Sequence, residues 1–333
     1  MNLVLTEACK KYKVPGCQVV VFSKKKILHA YSIGLANLAT ATKVEPQTAF
    51  EVASLSKPVF HYLLTVMVQN GALPSTFFAD TLYRYIDTNR QVRPSRIPSV
   101  KGLGDYLHFS ERYPKEWFRK ITILQLLTHT AGLGDWMNPI PQFYLPPGSR
   151  FQYCDEGYIL LQRVVEHHTG MPLQQLVDRY FAKSLAGVSR FAWDTTCLNY
   201  ASGYDKDLKP GREIWKTAEG CVHGSLSASA LAYARFVQQV AKAGYWEKGV
   251  PVPVAGELYW QPGWGLEKTR KGPVYWHWGN DIIYQHYVGY SPDLDFGLVV
   301  FTNSENGLRL CQFVADTLFP VKISGLQWVL GGV

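Results

Sequence analysis

The sequence lacks the cysteine patterns that would indicate a metal-binding module. Its six cysteines are widely separated, and none falls in a C-x-x-C pair or in a zinc-ligand spacing. They are Cys9, Cys17, Cys154, Cys197, Cys221 and Cys311. The simplest interpretation is that they are mostly free thiols in a reducing compartment.

Cofactor signatures are missing as well. The chain has no Walker loop and no G-x-G-x-x-G before a helix. The stretch Glu166-His167-His168 does not match H-E-x-x-H, so a zinc hydrolase is not indicated. We therefore expect no cofactor and no metal.

Targeting and membrane signals are also absent. Residues 1–7 lack the apolar core of a signal peptide, and no apolar run approaches the length of a membrane span. We expect a cytoplasmic location for the chain as read, or a periplasmic one if a leader has been removed.

The composition is that of a globular protein. The chain has 333 residues, of which 47% are apolar and 18% charged, which is enough for a large core and two structural lobes. The net charge is +8, but the basic residues are scattered except for Lys24-Lys25-Lys26, which we interpret as an exposed hairpin tip. No nucleic-acid signature is present. Aromatic residues make up 14%, which fits either a lined cleft or a well-filled core.

Strand patterns stand at both ends of the chain, with helical patterns between them. Strands are predicted over 18–22, 27–33, 264–268, 274–278, 282–290 and 296–302. Helices are predicted over 57–70, 122–129, 157–168, 171–181 and 307–318, and from a cap at Ser227 or Ser229 to Gly244. This order predicts an α/β fold of the α+β type, in which an antiparallel sheet is flanked by helices.

The same order predicts two lobes with an active site in the cleft between them. Residues 1–60 and 190–333 would form the α/β lobe, and residues 61–189 an inserted all-helical lobe. Residues 72–120 are interpreted as loops and short helices at the rim of the cleft.

A candidate nucleophile lies in the stretch from Glu51 to Pro58. Ser54 stands where an extended segment enters a helix, and Lys57 follows three residues later on the same helix face. A serine hydroxyl needs a neighbouring base, and a lysine with a lowered pKa can serve. The alternative is that Ser54 is an ordinary helix N-cap. Ser23 and Lys26 have the same spacing, but at a hairpin, where both would be solvated.

A second candidate pair is Tyr153 and Asp155, just before a predicted helix. A phenolate near a lysine ammonium can act as a general base, because the ammonium lowers the pKa of the tyrosine. The alternatives are a packed tyrosine and an N-capping aspartate. Tyr85 and Asp87 share the spacing but are not followed by a glycine and an apolar helix.

A third stretch runs from Tyr275 to Asn280. A glycine at the end of a strand, here Gly279, lets a substrate backbone approach closely, and the amide of Asn280 is a candidate oxyanion donor. His277 is a candidate for anion binding or proton transfer. The alternative is a packed strand histidine.

Together these stretches resemble the serine β-lactamase and penicillin-binding protein superfamily, which carries S-x-x-K, Y-x-N or S-D-N, and K-T-G. The resemblance is closest to the class C branch with its related esterases and D-aminopeptidase-like enzymes. Leu126 to Leu133 is similar to L-L-T-H-T-S-G-L, and Leu226 to Phe236 to S-T-x-x-D-L-x-R-F. The similarity runs from about Val14 to Asn303 and implies a two-lobe β-lactamase-like fold.

The resemblance implies roles for the candidate residues. Ser54 would be acylated, Lys57 and Tyr153 would share the proton transfer, and the amides of Ser54 and Asn280 would form the oxyanion hole. His277 stands at the position of the lysine in K-T-G.

Two departures from the family pattern affect these expectations. Asp155 replaces the usual asparagine; a carboxylate there would hold Lys57 as an ammonium and shift the base role to Tyr153. His277 and Trp278 replace Lys-Thr, which weakens the site for a β-lactam carboxylate.

We therefore expect a cofactor-free serine hydrolase that acts on a small ester or amide through an acyl-enzyme at Ser54. One alternative is a true class C β-lactamase, or a D,D-peptidase or D-amino-acid peptidase, with a lactam or peptide substrate. Another is a binding protein that keeps the fold without the activity.

Overall fold

The computed structural model describes residues 1–86, 103–104, 114–134, 144–181, 183–188, 190–192, 199–212, 216, 219–248 and 250–331. Most of the segment predicted as rim loops, residues 87–102 and 105–113, lies outside the described residues, as do Asp87 and Cys197.

A nine-stranded antiparallel sheet forms the centre of the molecule, and a short two-stranded sheet stands beside it. The strands are β1 Gly16–Phe22, β2 Ile27–Asn37, β3 Thr42–Lys43, β4 Phe50–Glu51, β5 Ser227–Ala228, β6 Val252–Ala255, β7 Leu258–Gln261, β8 Trp264–Thr269, β9 Gly272–Asn280, β10 Gln285–Ser291 and β11 Phe296–Thr302. The large sheet has the order β3-β2-β1-β11-β10-β9-β8-β7-β6, and β4 pairs with β5.

The centre of the large sheet joins the two ends of the chain. β1 lies between β2 and β11, with Val19 opposite Val300, and every residue of β1 is buried. Because both of its faces are covered, β1 is apolar in the sequence except for the buried Gln18.

Helices cover both faces of this sheet. They are α1 Asn2–Tyr12, α2 Ser56–Gln69, α3 Lys115–Phe118, α4 Ile123–Leu127, α5 Asp155–Thr169, α6 Leu173–Tyr180, α7 Ala230–Lys242, α8 Gly307–Leu318 and α9 Gly325–Leu330. One apolar cluster joins α1, α8 and α9 to one face of the sheet, and a larger one joins α2, α4, α5, α6 and α7 to the other. A capping box begins α4, with Thr122 and Gln125 bonded reciprocally. No helix in the described part of the chain is both long and apolar enough to cross a bilayer.

The predicted α+β fold, an antiparallel sheet flanked by helices, is confirmed. The predicted strand bounds differ most from the structure at the end of β2 and at the start of β10. β2 continues past Gly34, which has φ 77 and lies so close to the carbonyl of Pro15 that a Cβ would be 2.1 Å from its oxygen. β10 begins at Gln285 rather than at Ile282, which has φ 54 and belongs to the preceding turn. The division into lobes at residues 61 and 189 stays a prediction.

Candidate active site

Ser54 lies in a single 3₁₀ turn, Ala53–Leu55, between β4 and α2. The N-cap of α2 is Leu55, so the interpretation of Ser54 as a helix cap is wrong. The turn begins with Ala53 at φ 50, a left-handed conformation that costs an alanine about 1–2 kcal/mol. The neighbouring Val52 donates its amide to the carbonyl of Leu226 at 2.8 Å. The chain therefore holds the serine on a strained and anchored turn.

Lys57 points back along the first turn of α2 to the serine. Its Nζ donates to Ser54 Oγ at 2.8 Å and lies 2.5 Å from Asp155 Oδ1, and its side chain is completely buried. Burial lowers the pKa of Lys57, but the Asp155 carboxylate and Tyr153 outweigh burial and raise it above its ordinary value. The ammonium form is therefore favoured at neutral pH.

Asp155 is the first residue of α5, whose N-cap is Cys154, and no side-chain cap bond is made there. The interpretation of Asp155 as an N-cap is therefore also wrong. Burial raises the pKa of Asp155, but the Lys57 ammonium and His223 outweigh burial and bring it below its ordinary value. Lys57 and Asp155 thus form an ion pair beside the serine, in which the lysine side chain is fully buried and that of Asp155 is 21% exposed.

Tyr153 completes this group. Its ring lies 5.2 Å from Lys57 Nζ. Burial raises the pKa of Tyr153 to about 12, although the charge of Lys57 opposes the rise. The resting tyrosine is a neutral phenol at pH 7.

His277 lies on β9 and is completely buried. Its Nδ1 is 2.7 Å from the carbonyl oxygen of Trp278, which makes Nδ1 the protonated nitrogen. Burial and then the charge of Lys57 lower the pKa of His277 to about 3. A neutral imidazole therefore occupies the position predicted to bind an anionic group.

Gly279 lies close to the turn that carries Ser54, and its role in admitting a substrate backbone stays a prediction. A Cβ at this position would lie 2.5 Å from the carbonyl oxygen of Val52, so the absent side chain lets β9 approach the turn that carries Ser54. Trp278 is buried, with its ring 4.8 Å from that of Tyr153. Asn280 ends the strand in an exposed position, and its Oδ1 accepts from the amide of Ile282 at 3.1 Å.

Two aromatic neighbours of Tyr153 were not predicted as site residues. His129 stacks on Tyr153 at 4.3 Å, and its Nδ1 accepts from the amide of Cys154 at 3.1 Å. Trp260, on β7, has its ring 5.8 Å from Tyr153 and 5.2 Å from His277. The L-L-T-H stretch gave a signal for His129, but β7 was not predicted, so Trp260 had none.

A second charged group, also missed, borders the site. Glu51 is only 1% exposed and contacts the guanidinium of Arg212, which also contacts Asp281. Burial raises the pKa of Glu51 to about 7, although the hydrogen bond and charge of Arg212 oppose the rise. We call these three residues the Arg212 bridge.

No cluster of three or more His, Cys, Asp or Glu side chains suited to hold a metal ion occurs among the residues that the structure describes. In the candidate site Lys57 contacts both Ser54 and Asp155, and the ring of Tyr153 lies beside the lysine ammonium. In such a set the serine hydroxyl can become acylated while one proton is transferred. The backbone amides of Ser54 and Asn280 are the candidate oxyanion donors.

Known proteins resemble this chain in sequence and in fold. The family model described as Beta-lactamase matches residues 2–312. A D-aminopeptidase of Brucella anthropi is 25% identical over 207 residues, which are 60% of this chain but only 37% of that protein. The chain therefore spans little more than a third of the length of this curated relative.

Two solved structures share the fold. A D-alanine carboxypeptidase from Burkholderia cenocepacia superposes with a TM-score of 0.71 at 18% identity, over 95% of this chain and 97% of that one. The hydrolase EstCE1, described as having promiscuous acyltransferase activity, superposes with a TM-score of 0.68 at 17% identity, over 91% and 92% of the two chains.

Proposed function

The chain belongs to the beta-lactamase family, and from this premise we propose that it is a serine hydrolase that cleaves a small ester or amide through an acyl-enzyme at Ser54. The observation that carries the proposal is the contact of Lys57 Nζ with both Ser54 Oγ and Asp155, with Tyr153 beside them. A buried ammonium that is bonded to a serine hydroxyl is a costly arrangement, which a merely structural serine would not require.

In the proposed acylation, Ser54 Oγ attacks the carbonyl carbon of the substrate and Tyr153, as the phenolate, accepts the serine proton. Lys57 stays an ammonium throughout, because Asp155 stabilises that form. The amides of Ser54 and Asn280 would stabilise the oxyanion. Tyr153 then gives the proton to the leaving group, and water hydrolyses the acyl-enzyme by the same steps.

The pKa of Tyr153 sets the energy that this mechanism requires. With a pKa of about 12, forming the phenolate at pH 7 costs about 7 kcal/mol, from 1.36 kcal/mol per pKa unit. The rate of acylation should therefore rise with pH through the neutral range. Tyr153→Phe should lower it by about 10²–10⁴-fold, the usual contribution of a general base.

The D-aminopeptidase and D-alanine carboxypeptidase relatives support an amide substrate, and EstCE1 supports an ester. The neutral His277 weighs against a β-lactam, because the substrate carboxylate would meet no positive charge from this residue. A binding protein without turnover is the second candidate, and the observation that favours it is the ammonium form of Lys57.

Intact-mass spectrometry tests the proposal. The protein is incubated with p-nitrophenyl acetate, a fluorophosphonate or a penicillin. The acetyl and phosphonyl adducts should form on the wild type and be absent from Ser54→Ala. Ser23→Ala is the matched control, because Ser23 has the same spacing to Lys26 but lies at an exposed hairpin, where its Oγ accepts from the amide of Lys26.

Three outcomes bear on the competing functions. No adduct from either the ester or the fluorophosphonate would favour the binding protein. Adducts that persist in Ser54→Ala would contradict the assignment of the nucleophile. Stable labelling by the penicillin would favour a penicillin-binding or β-lactamase function.

A further inference from the structure

The Arg212 bridge begins at a strand that leads directly to the nucleophile. Glu51 ends β4, three residues before Ser54. Its backbone is fixed on two sides, because it pairs with Ser227 in β5 and its carbonyl oxygen accepts from Nε2 of His286 at 2.8 Å. The Glu51 carboxylate therefore has a defined position relative to Ser54.

The bridge ends at the strand that carries the other candidate oxyanion donor. Asp281 directly follows Asn280, and its amide donates to the carbonyl of Tyr284 at 3.0 Å within the turn between β9 and β10. The segment before Arg212 lies against this turn, since a Cβ on Gly211 would be 2.6 Å from the side chain of Ile283. The arginine thus approaches the turn on a closely packed segment.

The guanidinium of Arg212 joins these two elements directly. Its Nη2 contacts Glu51 Oε1 and Asp281 Oδ2, and its Nη1 donates to Glu51 Oε2 at 3.4 Å. Two carboxylates that approach one cation from two chain segments attract it and repel each other. Without the cation, the segments before Ser54 and after Asn280 would move apart.

We propose that Arg212 is a positioning residue that fixes the separation of the two halves of the oxyanion hole by bridging Glu51 and Asp281. The inference rests on the proposed function. Two amides stabilise one oxyanion only when both lie about 2.7–3.1 Å from it, so a small shift of either segment weakens catalysis. A displacement of about 1 Å can cost about 10²-fold in rate.

The bridge acts in addition to the contact of Gly279 with Val52. That contact sets how closely β9 and the serine turn approach each other. The arginine opposes their separation on the side of the turn after Asn280. Each device limits one direction of movement, so losing the bridge should affect the rate of acylation more than the fold.

The test measures acylation of Ser54 by p-nitrophenyl acetate in Arg212→Ala, Arg212→Lys and Asp281→Asn. We expect kcat in Arg212→Ala to fall by about 10–100-fold with little change in KM, because the oxyanion forms only in the transition state. Asp281→Asn removes one arm of the bridge and should give a smaller loss. Since Arg212 is 34% exposed, added ethylguanidinium should restore part of the rate in Arg212→Ala and ethylammonium should not.

Arg84→Ala is the control, because it breaks an exposed Arg–Asp pair, 3.0 Å from Arg84 Nη1 to Asp80 Oδ1, on a different segment. It should leave acylation unchanged. If Arg212→Ala does not fold, Asp281→Asn and Arg212→Lys carry the test. Wild-type kcat in all three variants would overturn the bridge alone. A rise in KM with unchanged kcat would overturn it as well. A wild type that forms no acyl-enzyme would overturn both the bridge and the proposed function.

Discussion

The buried pair of Lys57 and Asp155 leads to the sharpest prediction. Asp155→Asn removes the carboxylate and leaves the lysine in the same buried position. Because burial then acts without its opposing charge, the pKa of Lys57 should fall. A neutral lysine beside Ser54 can accept the serine proton, so the variant should use a base that the wild type does not.

The separation of the charges gives the size of the effect. At 2.5 Å and an effective dielectric constant of about 20, the attraction between two unit charges is about 6–7 kcal/mol. Desolvation offsets much of this attraction, and removing one partner of a buried pair typically destabilises a protein by about 3–5 kcal/mol. We expect the lower end of that range, because the lysine can lose its proton.

The dependence of this loss on pH has a definite sign. The folded pKa of Lys57 lies above its unfolded value of 10.5, so the stabilisation by the pair is complete below 10.5 and is lost as pH rises through the folded value. Urea unfolding at pH 7 should therefore show the full difference between Asp155→Asn and the wild type. Asp178 is an exposed aspartate that accepts a hydrogen bond from Gln174. Asp178→Asn is the matched control and should leave the free energy of unfolding unchanged.

The decisive assay is the rate of Ser54 acylation as a function of pH. In the wild type, log rate should rise through the neutral range without a plateau, since the pKa of Tyr153 is about 12. In Asp155→Asn, the log rate should instead level off near the lowered pKa of Lys57. Superimposable profiles would refute the reasoning about Lys57. A folded Asp155→Asn protein that is inactive at every pH would show that the carboxylate itself is needed for turnover.

Three other predictions concern the surroundings of the serine. Because the folded pKa of Glu51 is about 7 and thus above its ordinary value of 4.5, wild-type stability should fall by about 3 kcal/mol as pH rises between these values, and Glu51→Gln should flatten this decline in urea unfolding. Gly279→Ala should lower fluorophosphonate labelling by about 10²-fold, because its Cβ would displace the carbonyl of Val52; Gly224→Ala, whose Cβ would meet its nearest atom at 3.9 Å, should label normally. Ala53→Gly should raise the free energy of unfolding by about 1 kcal/mol, since glycine adopts the positive φ without strain; a loss of stability would contradict the assignment of strain.

The sequence allowed the fold to be predicted where local patterns and burial agree. The valine-rich β1 and the helix α5 have clear signals because both are buried along most of their length and their apolar residues recur at strand and helix spacing. β6 and β7 were missed because they are four residues each and the burial of β6 alternates with exposed positions. Such short strands, here at the end of the sheet, depend on their neighbours more than on their own residues.

The candidate site shows the same division. Ser54, Lys57, Tyr153 and Asp155 were predicted from spacing and resemblance, and the structure brings them into contact. Their catalytic roles stay a prediction. The Arg212 bridge could not be predicted, because its three members are far apart in the sequence and only the tertiary fold brings their charges together.

The pairing of β1 with β11 has a consequence for how the chain folds during synthesis. Val19 meets Val300 only after almost the whole chain has left the ribosome, so the central sheet cannot close early. Until then the edge of β1 that faces away from β2 is apolar and unpaired. Such an edge promotes aggregation. Slow translation or truncation before residue 296 should therefore increase the need for chaperones, whereas the local hairpin of β1 and β2 can form at once.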